Sequence, residues 1–202
     1  MARPQSPDYD KRREAMVATA ANLFARRGFQ GASVADLAKA CSTSKSLVYH
    51  YFPSKEDILY EVMASHLELL LAAAEGAMQR RELAAAERLE LVVLSFMRLY
   101  SGAADRHKVL LNELDNLPPE RRSDVVGKQR RIVAMVEELI GEIRPGLSGD
   151  LAGPITMLFF GMINWTHTWF KPSGQMSAEG LATLSVDLML HGLGGRSALN
   201  GS

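Results

Sequence analysis

The chain has 202 residues, 47% of them hydrophobic and 23% charged, with a formal net charge of zero. That is the balance of an ordinary soluble globular protein, long enough for one large domain or two small ones with a real core. The single cysteine, Cys41, excludes an intramolecular disulfide and fits a reducing cytoplasm. The charge is unevenly spread: residues 1–53 hold 8 Lys and Arg against 4 Asp and Glu, +4, and the remainder 15 against 19, −4. A basic N-terminal piece on an acidic body points towards nucleic acid.

Taken in order, the polar stretch Met1–Asp10, with Arg3, Pro4 and Pro7, reads as a flexible arm and not as a signal peptide. A first helix over about 9–27 carries Met16, Ala20, Leu23 and Phe24 on one face, and Gly28 supplies a left-handed stop. Ser33 and Asp36 cap a short helix with Val34, Leu37 and Ala38 inward. The turn Cys41-Ser42-Thr43 follows, and Ser44 caps a second short helix to about Tyr51. Val48 and Phe52 point into the core; Lys45, Ser46, Leu47 and Tyr49 point outward, a face too aromatic for a merely solvated helix. Pro53 stops it, and Ser54-Lys55-Glu56-Asp57 opens the next helix with a cap and first-turn acids. Two short helices around a tight turn are the geometry that sets a helix into a major groove. The predicted head core is Met16, Leu23, Phe24, Phe29, Val34, Leu37, Val48 and Phe52.

The helix from Ser54 continues without a linker through Ile58, Leu59, Val62, His66, Leu69, Leu70 and Ala73 towards Gly76, joining the head rigidly to the body. Further helices are expected over about 83–101, 104–115, from Pro119 to about Ile143, from Asp150 to Pro172-Ser173-Gly174, and over 178–191. Gly192, Gly194 and Gly195 stop the last one before a loose tail. The fold class is all-α: nine helices in two domains, with residues 11–53 as a helix-turn-helix domain and 54–195 as the body, between an arm at 1–10 and a tail at 196–202. Between Asp150 and Lys171 lie twenty uncharged residues, enough to span a bilayer, but Pro154, Asn164, Thr166, His167 and Thr168 favour burial in protein over membrane insertion.

Catalysis finds no support: His50, His66, His107, His167 and His191 are scattered without ligand spacing, and no nucleophile motif, phosphate loop or dinucleotide fingerprint is present. No metal or cofactor is expected.

Leu23-Phe24, Gly28-Phe29, the run Ser33–Ala38 and Tyr49-x-Tyr51-Phe52-x-x-Lys55 stand at spacings that resemble the tetracycline-repressor (TetR) family of bacterial transcription regulators, over about residues 12–62. The resemblance implies a cytoplasmic homodimer that grips a palindromic double-stranded DNA operator, pairs through helices eight and nine, and is released by a small-molecule effector. It places Lys45, Ser46, Leu47 and Tyr49 near base edges, and Ser33, Ser44, His50, Tyr51 and Lys55 near phosphates. For Tyr51, core packing is an equal alternative. Arg3, Lys11, Arg12 and Arg13 are candidate backbone contacts, with a solvated face as the plain alternative. Two positions commonly Gly in the family, 42 and 46, are Ser here, a change of little consequence at 42 if Ser42 avoids positive φ. At 47, Leu stands where Thr is common; it packs on a thymine methyl but forms no hydrogen bond to a base.

The segment Gly161–Phe170 resembles the eighth helix of TetR-type regulators of fatty-acid or aromatic-acid breakdown that answer to acyl-CoA thioesters. Leu158, Met162, Trp165 and Trp169 form one stripe, and Phe160, Ile163, His167 and Phe170 lie opposite; one serves a partner subunit and the other a cavity, in an order the sequence leaves open. The candidate ligand-binding residues are Phe96, Met97, Tyr100, Leu111, Met162, Asn164, Trp165, Thr166 and Trp169. Arg121, Arg122, Lys128, Arg130 and Arg131 of the seventh helix are either CoA-phosphate contacts or a solvated face. The alternatives in function are a regulator answering to a free hydrophobic molecule, such as one controlling efflux, and a helical interaction protein without DNA binding.

Overall fold

The computed structural model describes residues 7–192 apart from 148 and 172. Among them the chain is all-helical: α1 (Pro7–Gly31), α2 (Val34–Ala40), α3 (Lys45–Tyr51), α4 (Lys55–Gln79), α5 (Ala85–Gly102), α6 (Ala104–Asn112), α7 (Pro119–Ile143), α8 (Gly149–Trp165) and α9 (Ala178–His191), with single 3₁₀ turns at Leu114–Asn116 and Thr166–Thr168. No described helix is long and apolar enough to cross a membrane.

The chain divides into two compact units. One runs through His66 and takes in Asp105–Val126; the other comprises Leu67–Ala104 and the residues from Gly127 on. The sequence-based boundary at 53/54 instead assigns everything beyond Pro53 to the body. Side-chain bonds show how residues 105–116 come to lie with α1: the Asn22 amide donates to Asp105 (2.8 Å), the Gln30 amide to Asn116 (2.9 Å), and Arg106 pairs with Glu14.

In the first unit, Met16, Val17, Ala20, Phe24, Phe29, Val34, Leu37, Val48 and Phe52 are buried. Leu23 is only half-buried, because the buried arc of α1 runs from Met16 through Ala20 and Phe24 to Val17 and Ala21 and leaves Leu23 at its opposite edge. Phe24 and Phe29 meet edge to face at 5.4 Å. Between them Gly28 has φ 73° and ψ 161°, a region open essentially to glycine alone, so the chain kinks and returns Phe29 to the core. Part of the expected arm is ordered helix: Pro7–Asp10 form the first turn of α1, with proline at a position where its missing N–H costs nothing. Residues 1–6, Arg3 and Pro4 included, lie outside the described residues, as do Gly194, Gly195 and the tail from 193.

In the second unit, α5 packs along α9, and Leu89, Val92, Val93, Phe96, Met97, Phe159, Phe160, Ile163, Leu181 and Val186 are buried. The eighth helix stops earlier than the sequence suggests. It starts at Gly149, so Asp150 sits within its first turn, and its α-helical part ends at Trp165. The cause is local: the Thr166 hydroxyl donates to the carbonyl of Ile163 (2.6 Å), His167 Nδ1–H to that of Asn164 (2.7 Å) and Thr168 to that of Trp165 (2.8 Å). These bonds satisfy terminal carbonyls three residues back and tighten the chain into a 3₁₀ turn.

Candidate functional site

Seven residues make a helix of two turns, too short to persist alone, so α3 depends on its ends and its inner face. The Ser44 hydroxyl accepts from Leu47 N–H (3.1 Å) and caps the start. Val48 is the sole fully buried residue of α3, and Phe52 follows it into the core. At the other end of the motif, Ser33 and Asp36 form a reciprocal capping box on α2; the Ser33 hydroxyl and backbone N–H both donate to Asp36, holding its carboxyl below the usual carboxylate range. The intervening turn forces Ser42 to φ +51°, so the sequence-based condition that it avoid positive φ is not met. A glycine would sit there without strain, and serine carries a cost of about 1 kcal/mol.

With the inner face spent on Val48, the outer face is left to solvent. Lys45, Ser46 and His50 are exposed, Tyr49 is 50% exposed, and Leu47 is half-buried beside a cleft lined by Arg12, Met16, Thr19, Cys41 and Thr43. An ammonium, a hydroxyl, a phenol and an imidazole thus project from one short helix beside an apolar Leu47, a set suited to base edges and phosphates. Lys55, half-buried in the first turn of α4, holds its ammonium 4.0 Å from the Phe29 ring centroid, which fixes the charge at that helix N-terminus. Tyr51 is half-buried and stacked on Tyr9, with ring centroids 4.4 Å apart. Arg13 is engaged inside the unit, bonded to Glu61 (2.6 Å) and lying over Phe52, whereas Lys11 and Arg12 are exposed.

The predicted ligand residues separate into two groups. Phe96, Met97, Tyr100 and Thr166 are buried, Met162 and Asn164 half-buried, and the Tyr100 hydroxyl donates to Asn164 Oδ1 (2.8 Å). Burial pushes the Tyr100 phenol well above its ordinary value, so it stays a neutral donor. Trp165, 66% exposed, and Trp169, 54% exposed, face outward together with Leu158, at 75%, Met157 and Leu151. The stripe of Leu158, Met162, Trp165 and Trp169 is therefore the outer face of this segment, and the side bearing Phe160 and Ile163 is the inner one. Leu111 is exposed and belongs to the first unit.

Four of the five cations expected on α7 are in ion pairs. Arg121 pairs with Asp57 (2.9 Å), Arg122 with Asp115 (2.8 Å), Lys128 with Glu68 (3.9 Å) and Arg131 with Glu75 (2.6 Å); Arg130 is exposed. This is an ion-pair row largely along α4.

Sequence reasoning missed two features. Buried His66 and His107, forty-one residues apart, approach Nε2 to Nδ1 at 3.3 Å, a pairing with no local signal. Tyr9 was legible in principle: Tyr9, Arg13 and Met16 follow at i, i+4 and i+7, which places Tyr9 on the inward stripe of α1. Among the described residues no group of three or more His, Cys, Asp or Glu side chains is placed to hold a metal.

Comparison with known proteins agrees with this geometry. The sequence profile for "Bacterial regulatory proteins, tetR family" matches residues 16–62, and that for the "Tetracyclin repressor-like, C-terminal domain" matches residues 82–193. The chain belongs to the TetR family. A TetR-family transcriptional regulator from Bordetella parapertussis is similar in structure at a TM-score of 0.86 and 39% identity, over 90% of this chain and 95% of that one. The transcriptional repressor KstR2 of Mycolicibacterium smegmatis is 28% identical over 94% of this chain and 95% of its own length. The structure of AibR in complex with isovaleryl coenzyme A and operator DNA matches at a TM-score of 0.78 and 27% identity, over 90% and 98% of the two chains. This TetR protein is accordingly a DNA-binding transcriptional repressor and not an enzyme, and it uses no cofactor.

Proposed function

We propose that this repressor reads a palindromic operator with the outer face of α3 and is released by an acyl-CoA thioester. The observation that carries the DNA part is the exposure of Lys45, Ser46, Tyr49 and His50 on a helix whose buried anchors, Val48 and Phe52, leave that face free. In this reading Leu47 supplies apolar readout, and Ser33, Ser44, Tyr51 and Lys55 flank the backbone. Ser33 and Ser44 serve first as helix caps, and Lys55 is the principal phosphate contact, its charge and the helix dipole acting together. The protein works in the cytoplasm as a homodimer whose α8 and α9 pair with those of a second copy; the exposed Leu151, Leu158 and Trp165 support that assignment.

The effector assignment is supported by similarity to AibR, whose structure holds isovaleryl coenzyme A. The interior of this chain offers Phe96 and Met97 for an acyl group and the Tyr100–Asn164 pair for a polar group, while Met162 of the outer stripe is only half-buried. The outward position of Trp165 and Trp169 favours the subunit interface over the pocket as their place in this reading.

Two substitutions test the DNA reading. Leu47→Ala should change which operators are preferred, and Lys55→Ala should weaken all sequences alike and lower the salt dependence by about one counterion. The reverse pattern in binding titrations removes the assignment. Calorimetry with an acyl-CoA and its free acid tests the effector; equal affinity for both rejects the thioester.

A further inference from the structure

Stacking between α1 and the last turn of α3 joins two elements that the DNA reading leaves separate. Tyr9 lies on Tyr51 at 4.4 Å with 29° between the rings, and meets His50 edge-on at 6.4 Å. One turn further along α1, Arg13 sits 5.2 Å above Phe52 and bonds to Glu61 of α4. The start of α3 has its cap at Ser44 and its middle has Val48. Its last turn is closed by Phe52, whose backbone N–H donates to the Val48 carbonyl (2.9 Å) and whose ring is buried, but within that turn His50 is exposed and Tyr51 only half-buried, and the chain leaves for Pro53 immediately afterwards. In so short a helix the terminal turn frays unless a tertiary contact holds it. Phe52 anchors the end from the core side, and Tyr9 supplies a second contact, on the Tyr51 side, with an aromatic face matched to Tyr51.

We propose that Tyr9 is a positioning residue for operator binding: by stacking on Tyr51 and bordering His50 it holds the last turn of α3 in the orientation that presents Tyr49 and His50 to DNA. This rests on the reading of α3 as the helix that meets DNA. Tyr9 acts through α3 in this arrangement, and its ring is the working part. The contacts with Tyr51 and His50 are made by the ring and not by the hydroxyl.

The test uses the full chain and a duplex that the wild-type protein selects from a random pool. Tyr9→Ala should bind that duplex about 3- to 10-fold more weakly, the range expected for loss of one aromatic pair, and Tyr9→Phe should bind within about twofold of wild type. The slope of affinity against salt should be the same in all three, since no phosphate contact is removed. Without DNA, the amides of His50–Phe52 should exchange with solvent faster in Tyr9→Ala and at the wild-type rate in Tyr9→Phe. If the alanine variant does not fold, Tyr9→Leu keeps an apolar side chain there and should show the same loss of affinity. Wild-type binding by Tyr9→Ala or Tyr9→Leu overturns the proposal. So does a loss in Tyr9→Phe as large as in Tyr9→Ala, or a salt slope lower by about one, since either makes Tyr9 a direct DNA contact. Failure of the wild-type chain to select any duplex removes the reading of α3 itself, and the exchange arm still reports whether the brace exists.

Discussion

The helix-turn-helix unit and α8 use their large apolar side chains in opposite ways. Around α3 every large aliphatic or aromatic anchor is turned in, with Phe24, Phe29, Val48 and Phe52 buried, and the outward face is polar apart from Leu47 and the half-exposed Tyr49. In α8, Phe159, Phe160 and Ile163 are buried, yet Leu151, Met157, Leu158 and Trp165 are left in solvent on the same helix. The first region is complete as one chain, its exposed groups mostly polar or ionisable. The second is apolar on both sides, and the proposed pairing with a second copy would cover its outer side.

Charging the open face should have the largest effect. Leu158→Glu with Trp165→Glu should weaken self-association at least about 1000-fold, near 4.1 kcal/mol, read by sedimentation. The isolated subunits should keep the helical signal and the melting behaviour of the first unit. Unfolding of that unit in the double variant would break the contrast, because α8 would then be needed to complete it.

Next comes the buried imidazole pair of the closed unit. Burial, assisted by the charge of Arg106, lowers the pKa of His66 to about 4 from an ordinary 6.5. The unfolded chain therefore binds a proton across that interval when the folded chain does not. Stability is fully present above about pH 6.5 and is lost as pH falls towards 4. The total is about 3 kcal/mol at 1.36 kcal/mol per unit. Denaturant titrations at pH 7, 5.5 and 4 should show the decline in wild type and a shallower one in His66→Gln; identical curves would show that His66 is not held neutral.

The smallest effect sharpens the account of the turn. Ser42→Gly should stabilise the protein by about 0.5 kcal/mol, relief of the positive-φ strain outweighing the added freedom of the unfolded chain. Destabilisation on thermal melting would show that the serine side chain contributes something the strain argument omits.

The motif was readable in the sequence because its signals are local. Ser33, Ser44, Gly28 and Pro53 act within three or four residues of themselves, so spacing alone located α2 and α3. The range of α7 and the cap of α9 at Ser177 follow for the same reason. The end of α8 failed because Thr166, His167 and Thr168 bond back to carbonyls, a competition that hydrophobic periodicity does not register.

By itself the sequence determined the all-helical class, the helix-turn-helix and the identity of the residues presented by α3, since caps, breakers and i, i+4 stripes are short-range physics. The tertiary structure alone decided which apolar stripe of α8 faces out and which cations of α7 are already paired. It also joined residues 105–116 to α1, His66 to His107 and Tyr9 to Tyr51. Each of these depends on which distant element arrives alongside, and a stripe with two apolar sides carries no local instruction about which side will be covered.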